Sequence, residues 1–526
     1  MAPKVLVADK LSASALEVFA DRGVDADVRV GLTRDELIEI IPDYDGLALR
    51  SSTKVTEKVI AAATRLKVIG RAGIGVDNVD VKAATARGVM VMNTPHGNGI
   101  TTAEHAISLM LALARQIPRA DATTKAGKWA KSELVGVEIT GKCLGIIGCG
   151  NIGSIVADRG HGLKMRVIAF DPFLSPERAA ELGVEKVELD TLFQRADFIT
   201  LHTPLTEKTR HIISREAIAQ MRDGVRLINC ARGGLLDESA LFDALQTGKV
   251  AGAAIDVYEL EPAKENILFA AENVICTPHL GASTREAQEN VAIQVAEQMS
   301  DFLLSGAVTN AVNFPSISAE ESPQLLPFAK LAEQLGSFAG QIIESGLQRI
   351  GIEYTGPVAT MNIKALTAAA LAGVLKPLLA EVNMVSAPAL AKARGIKVEE
   401  VSRAHEGAYE TYITLRVETE RQERSVAGTV FSDGRPRLIR VRDIDMEAEL
   451  GPHMLYTENL DKPGYIGALG MVLGAAQMNI ATFNLGRSQP GGRAVALLGM
   501  DEPIADDVLA KVKELPHVKE AKRLSF

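Results

Sequence analysis

His279, Glu261 and Arg232 are side chains of the types that move protons and bind anions, and each lies just past a short apolar run. His279 follows Pro278 beyond the run 274–276. Glu261 sits before Pro262 beyond 251–255, and Arg232 comes just after 226–229. An imidazole, with an unperturbed pKa near ~6.5, can take a hydroxyl proton and give it back. A carboxylate beside it orients the ring and supports the imidazolium. A guanidinium presents a planar fork that matches a carboxylate bidentately. Together the three suit oxidation of a hydroxy acid, a reaction that also needs a hydride acceptor.

Gly148-Cys149-Gly150-Asn151-Ile152-Gly153 offers a place for that acceptor. It reads G-x-G-x-x-G, between the apolar run 143–147 and a helix-like run 152–163. Glycines there let the backbone turn tightly and approach a pyrophosphate, and the helix start supplies free N–H groups. A second apolar strand, 167–170, ends on Asp171, 18 residues past Gly153. That is close to the spacing at which an acid accepts both ribose hydroxyls of NAD, and a carboxylate there repels the extra phosphate of NADP.

These groups need strands to carry them. Residues 1–97 alternate apolar strands (5–8, 46–49, 67–70, 89–92) with helices (13–21, 34–41, 57–63, 81–87), the pattern of a parallel α/β domain. Arg50 and Arg71 stand just past strand ends, where open α/β sheets bind ligands. Two long helices, 101–117 and 283–304, read as paired crossings between this domain and a second one, with the crevice between them as the site. Thr101 and Glu104 have capping-box spacing. Lys125 to Ala130, with the chain's only tryptophan, Trp129, reads as an excursion towards another subunit. Strands at 198–201, 226–229, 251–255 and 274–276 each end on residues suited to chemistry. From Pro315 the character changes. A linker at 317–323 precedes helices at 326–345 and 363–379 and strands at 349–356, 412–418 and 425–431. Arg435, Arg437, Arg440 and Arg442 read as a solvated strand face, with an anion site as the alternative. After Pro452 a β-α-β-β-α-β order reads as a ferredoxin-like module.

The chain has 526 residues, enough for three or four cores. A net charge of −9 without a Lys/Arg run argues against a nucleic-acid partner. No apolar run reaches the ~18–20 residues that span a bilayer, and Met1-Ala2-Pro3-Lys4 leads straight into a strand, so the expectation is a cytoplasmic protein. Cys143, Cys149, Cys230 and Cys276 have no paired spacing and read as buried reduced thiols, with no metal centre.

Asn229-Cys230-Ala231-Arg232-Gly233-Gly234, the stretch 256–262 and Thr277-Pro278-His279-Leu280-Gly281-Ala282-Ser283-Thr284 resemble the D-isomer-specific 2-hydroxyacid dehydrogenases. The stretch 71–80 and the long C-terminal part resemble the long-form members acting on 3-phosphoglycerate, and 461–464 resembles an ACT regulatory domain. The resemblance implies a Rossmann-type dinucleotide-binding domain (98–282) inserted in a flavodoxin-like substrate domain (1–97 completed by 283–314). An α+β intervening domain (315–451) and a C-terminal ferredoxin-like ACT domain (452–526) follow. It implies oxidation of 3-phospho-D-glycerate to 3-phosphooxypyruvate with NAD, the first step of serine synthesis, in a homo-oligomer (tetramer or dimer). Arg232, Glu261 and His279 fall on the family's catalytic positions. Ile74, Asn151, Ile152, Asp171, Thr203, Cys230, Asp256 and Ala282 fall on cofactor positions. Arg50, Ser51, Arg71 and Gly73 fall on the substrate side. Asp461, Asn479 and Asn459 fall on the positions that hold serine as feedback inhibitor. Asn151 stands where the family often has Arg, and Asn459 where a long-form relative can carry an aromatic. Two other readings remain: a related dehydrogenase acting on glycerate or 2-hydroxyglutarate, and an NAD-sensing interaction protein.

Overall fold

The computed structural model describes residues 2–95, 97–318, 320–344, 346–379, 382–404 and 408–526. His96 in the loop ahead of the first long helix, Ala319 of the linker stretch and Ser345 at the end of the 326–345 helix lie outside the described residues. The chain forms two compact units, one of residues 1–93 and 295–526, the other of 94–294. The hand-overs therefore fall at 93/94 and inside the helix Arg285–Ser305, rather than at 97/98 and ahead of that helix.

The first unit opens with a five-stranded parallel sheet of β1 (Lys4–Val7), β2 (Asp25–Val28), β3 (Gly46–Leu49), β4 (Val68–Arg71) and β5 (Met90–Met92), in the order β2-β1-β3-β4-β5. β3 is buried along its whole length. Parallel strands covered on both faces lose polar alternation, which is why these read as plain apolar runs. β2 escapes that rule. Its sequence, Asp-Ala-Asp-Val, is an exposed edge with no apolar signal.

The second unit holds a seven-stranded parallel sheet. Its strands are β6 (Cys143–Ile147), β7 (Arg166–Phe170), β8 (Glu185–Lys186), β9 (Phe198–Leu201), β10 (Val225–Asn229), β11 (Val250–Ile255) and β12 (Val274–Cys276). The order is β12-β11-β10-β9-β6-β7-β8. From β6 the chain runs outward to β7 and β8, then returns to β9 on the other side, so β6 and β9 flank the switch point where such sheets bind ligands. The glycine loop follows β6. The helix Gly99–Ala114 starts two residues before Thr101 with Asn98 as its N-cap, so Thr101 lies inside it and the capping box does not form. Cys276 is exposed, unlike the other three thiols, because β12 is an edge strand.

The first unit also carries two further sheets. One is mixed: β13 (Leu347–Thr355), β14 (Lys397–Arg403), β15 (Tyr412–Thr419), β16 (Glu423–Val430), β17 (Pro436–Val441) and β18 (Ile444–Ala448), in the order β14-β13-β15-β16-β17-β18. Helices Ser322–Ile342 and Ile363–Leu375 pack together closely. A Cβ at Gly336 would come within 2.2 Å of the Ala370 carbonyl oxygen, so only glycine allows that approach. The arginines on β17 and just beyond it are paired with acids (Arg435 and Arg437 with Glu449, Arg440 with Asp445, Arg442 with Glu458), which removes the anion-site alternative. The last sheet is antiparallel: β19 (Met454–Leu460), β20 (Ile480–Arg487), β21 (Arg493–Met500) and β22 (Val518–Leu524), in the order β20-β21-β19-β22, with helices Tyr465–Ala475 and Asp506–Lys513.

Candidate active site

In the second unit, the ends of β10, β11 and β12 carry Arg232, Glu261 and His279. His279 Nδ1 and Glu261 Oε2 are 2.7 Å apart. Tyr258 fixes the acid from the other side, its N–H donating to Glu261 Oε1 at 3.0 Å. Tyr258 itself is tied down by its hydroxyl, which donates to the carbonyls of Ile255 and Thr277 at 3.2 Å. Burial pushes the Glu261 carboxyl up, but the His279 hydrogen bond, the Tyr258 N–H and the His279 charge outweigh it and hold the group below the usual carboxylate range. The acid is therefore ionised at neutral pH and suited to support an imidazolium. Half of the His279 side chain remains exposed, leaving Nε2 a route to a ligand.

Arg232 is placed by its loop. Asn229 Nδ2 donates to the Arg232 carbonyl at 2.9 Å and Asn229 Oδ1 accepts from Ala231 N at 3.1 Å. At Gly233 a Cβ would lie 1.8 Å from the Tyr258 carbonyl oxygen, so the absence of a side chain lets the Arg232 loop lie against the Glu261 loop.

Asp256, one of the expected cofactor positions, also braces the loop that carries His279. It is fully buried. Its Oδ1 accepts from Thr277 Oγ1 at 2.6 Å and Leu280 N at 2.7 Å, and lies 3.2 Å from His105 Nε2. Oδ2 accepts from Gly281 N at 2.9 Å, and the Asp256 carbonyl accepts from His279 N at 2.9 Å. Burial pushes the carboxyl up, while His105, the Thr277 hydroxyl and the Leu280 N–H together bring it below the usual range. Asp256 thus ties together the loop bearing His279, whose backbone sits in the left-handed region at φ 55°. His105, on the helix Gly99–Ala114, was not singled out from sequence; nothing in its helical spacing points to β11.

The glycine loop fits a dinucleotide. Gly148 has φ 92° and its Cβ would strike the His202 carbonyl at 2.6 Å. Gly150, the N-cap of the helix Asn151–Gly162, faces open space. A Cβ at Gly153 would lie 2.0 Å from the Gly148 carbonyl oxygen. The three glycines therefore serve the turn, the approach of a phosphate and close helix–strand packing, in that order. Asp171, at the end of β7, accepts from Cys149 N and Phe173 N at 2.8 Å each. Asn151 donates to the Pro95 carbonyl at 2.8 Å. Ile152, Thr203 and Ala282 are half-buried and Cys230 is buried. Burial holds the His202 imidazole down to about 4, so it stays neutral and is no rival acid.

A second imidazole–carboxylate pair, His211 and Glu259, is 2.7 Å apart and was also missed. His211 lies past the 206–210 turn rather than at a strand end, and among the described residues no buried acid braces its loop as Asp256 braces that of His279.

Arg50, Ser51, Arg71, Gly73 and Ile74 lie in the first unit, Arg50 and Ser51 past β3, Arg71 as the last residue of β4, and Gly73 and Ile74 past it. Buried Asp9, past β1, organises their loop: Oδ2 accepts from Arg50 N at 2.7 Å and Oδ1 from Thr53 Oγ1 at 2.8 Å. Asn78 Nδ2 donates to the carbonyls of Arg50 and Thr53 at 2.7 Å. A Cβ at Gly73 would fall on the Arg71 guanidinium, so that arginine rests where a side chain is missing.

The three residues read as effector ligands are not gathered within one chain. β19 and β20 both run antiparallel to β21, so Asp461, past the end of β19, and Asn479, before the start of β20, lie at opposite ends of the sheet. Asp461 accepts from Arg487 Nη1 at 2.8 Å and Gly491 N at 3.0 Å, beside a cavity of about 520 Å³ that Lys462 and Gly464 also line. Asn479 donates to Asp501 at 2.6 Å. Asn459 is corrected: it is 1% exposed and donates to the Leu460 carbonyl, so it presents nothing to a surface ligand.

Residues 107–281 match the family described as D-isomer specific 2-hydroxyacid dehydrogenase, NAD binding domain, and residues 324–442 match the D-3-phosphoglycerate dehydrogenase intervening domain. The D-3-phosphoglycerate dehydrogenase of Synechocystis sp. is 42% identical over 520 residues, 98% of this chain and 94% of that protein. The D-3-phosphoglycerate dehydrogenase of Methanocaldococcus jannaschii is 43% identical over 519 residues, 98% of each chain. A solved glyoxylate reductase from Paecilomyes thermophila superposes with a TM-score of 0.55 at 32% identity, covering 59% of this chain and 98% of its own.

Proposed function

The chain belongs to the D-isomer specific 2-hydroxyacid dehydrogenases, among the D-3-phosphoglycerate dehydrogenases, and from that premise we propose how its residues perform the reaction. It is an NAD-dependent oxidoreductase that converts 3-phospho-D-glycerate to 3-phosphooxypyruvate, the first step towards serine. The observation that carries the residue assignment is the 2.7 Å contact between His279 and Glu261 at adjoining strand ends. His279 accepts the C2 hydroxyl proton as the alcohol is oxidised and returns it in reduction. Glu261 holds the ring and stabilises the imidazolium. Arg232 grips the substrate carboxylate. Arg50, Ser51, Arg71 and Gly73 are the substrate ligands of the first unit. NAD would be held by Gly148, Gly150, Gly153 and Asp171, with Asn151, Ile152, Thr203, Cys230, Asp256 and Ala282 around it, and when bound would supply the hydride acceptor; Ile74 is the cofactor position proposed on the first unit.

For regulation, the C-terminal sheet is an ACT domain. Its serine site joins Asp461 of one copy to Asn479 of another, which fits their placement at opposite ends of one sheet. The protein is a homo-oligomer, dimer or tetramer. Among the described residues no helix is long and apolar enough to cross a membrane; a cytoplasmic location is part of this proposal. Steady-state turnover with NAD on a panel of 3-phosphoglycerate, glycerate, lactate and 2-hydroxyglutarate, with and without serine, tests the reading. Highest kcat/KM on 3-phosphoglycerate is expected; a preference for 2-hydroxyglutarate sinks the substrate assignment.

A further inference from the structure

His105, Cys230 and Asp256 come from three remote parts of the second unit, and their ligand atoms lie within 4.8 Å of one another. All three are enclosed: the side chain of His105 is 18% exposed, that of Asp256 0%, and Cys230 is 5% exposed. We propose that they form a site for a soft divalent cation of the Zn²⁺ type, and that its occupation inhibits the enzyme by drawing Asp256 away from the loop that carries His279. The inhibitory half rests on the active-site assignment above; the binding half does not.

The geometry is close to what such an ion needs. Tetrahedral zinc with bonds of ~2.0–2.1 Å to nitrogen and oxygen sets those two atoms about 3.3 Å apart. His105 Nε2 and Asp256 Oδ1 are 3.2 Å apart. The sulfur edge of such a tetrahedron is about 3.6 Å, so Cys230 has to close in by on the order of 1 Å, the scale of a small side-chain rotation. On binding, the Cys230 thiol releases its proton to solvent, and the sulfur forms the coordinate bond. His105 turns its Nε2 lone pair to the metal and carries its proton on Nδ1. Thiolate, carboxylate and neutral imidazole then cancel the 2+ charge, and a buried site has to be neutral in this way. Thiolate and imidazole select Zn²⁺, Co²⁺ or Cd²⁺ over Mg²⁺ and Ca²⁺, which require oxygen ligands. The Thr277 hydroxyl, 2.6 Å from Asp256 Oδ1 and 3.5 Å from His105 Nε2, is a further oxygen beside the three.

Inhibition follows from the role of Asp256. Its carboxylate accepts from Leu280 N and Gly281 N, so its oxygens hold the residues that follow His279. A metal taking one of these lone pairs weakens that hold and tilts the imidazole away from the hydroxyl it must meet. A shift of this size at a positioning group is costly to turnover.

The test uses the full-length protein with Co²⁺ as a spectroscopic probe and Zn²⁺ as inhibitor. Co²⁺ is expected to give a thiolate-to-metal charge-transfer band together with the intense visible bands of four-coordinate cobalt. Both are to be lost in Cys230→Ser and retained in Cys276→Ser. Zn²⁺ is to inhibit in a manner reversed by EDTA, Mg²⁺ is to have no effect, and His105→Gln is to raise the half-inhibiting Zn²⁺ concentration by about tenfold or more. No charge-transfer band, or one that survives Cys230→Ser, overturns the site. A band that depends on Cys230 without inhibition by Zn²⁺ overturns the inhibitory role. Because the cobalt spectrum does not need turnover, a protein inactive on 3-phosphoglycerate that still shows the Cys230-dependent band refutes the functional reading and leaves the site standing.

Discussion

At the scale of single residues, His279 and Glu261 make the sharpest expectations. His279→Ala should lower kcat by on the order of 10²–10⁴-fold with little change in NAD affinity, while His211→Ala should leave turnover near normal. The Glu261 carboxyl is held below its usual range, so the stability its pairing contributes is present above the unfolded value near ~4.3 and is lost only as pH falls through the lower folded value. The pair is intact across the working range. Glu261→Gln removes the negative partner that supports the imidazolium, so the acid limb of the kcat/KM profile moves to lower pH while kcat drops. An unmoved limb, measured over the acid range, would show that the two do not act as a pair. Arg232→Lys should cost most of kcat/KM, since a point-charge ammonium lacks the two-pronged grip. These three residues were legible in the sequence because each follows a parallel strand and carries a chemically expressive side chain. Asp9, His105 and the hub role of Asp256 were not. Their partners come from other strands and from a helix far away in sequence, and no local spacing records a hydrogen bond such as Thr277 Oγ1 to Asp256.

At the scale of elements, the strand–glycine loop–helix unit is the most constrained piece. Gly153→Ala places a methyl carbon 2.0 Å from the Gly148 carbonyl oxygen, a backbone atom that cannot swing away as a side-chain end would. The helix Asn151–Gly162 must then lift from β6. Loss of NAD binding by calorimetry and a lower Tm are expected together, whereas Gly150→Ala, with open space around it, should lose NAD affinity at an unchanged Tm. Equal Tm losses for both would mean that the second glycine is structural too. Asp171, at the end of β7, leads to a matching expectation: kcat/KM with NAD well above that with NADP, erased on Asp171→Ala. The parallel strands were readable because burial on both faces makes them apolar throughout. The polar edge strands β2, β8 and β14 were not, because ladder hydrogen bonds hold them with no buried side-chain pattern to betray them; every residue of β14 is exposed. β17 was legible as a strand face bearing arginines, which prove to be ion-paired, while β18, Ile-Asp-Met-Glu-Ala, was not read.

At the scale of the molecule, the sequence suggests that the chain can be cut near residue 450 to leave an active enzyme without its serine response. The packing says otherwise. Across that cut, Arg424 pairs with Glu520 at 3.2 Å and Arg442 with Glu458 at 3.2 Å, all four side chains at most 17% exposed. Lys522 Nζ donates to the Ile342 carbonyl at 3.0 Å, and the backbone N–H of Ser525 to Gln341 Oε1 at 3.0 Å. Phe338 meets Tyr456 edge-on and stacks on Phe526, the last residue. A Cβ at Gly486 would come within 2.7 Å of the Asp445 carbonyl oxygen, so β20 lies tightly on β18. Deleting 451–526 strips the cover from the helix Ser322–Ile342 and exposes its aromatic face, a surface that invites association. A cut after residue 318 behaves differently. It keeps the isolated bridge between Val308 and Ile317, and loses the Asn383–Gly88 hydrogen bond of 2.8 Å and the one from Asn362 to the Ser316 carbonyl. The solved glyoxylate reductase is matched over 98% of its own length by 59% of this chain. Residues 1–318 should therefore run as a well-defined species on size exclusion, bind NAD and turn over substrate without responding to serine, while residues 1–450 should aggregate or melt several degrees below the full chain. A soluble 1–450 protein with an unchanged Tm would mean that the buried ion pairs and aromatic contacts do not couple the two C-terminal sheets, and that the last one is free to move by itself.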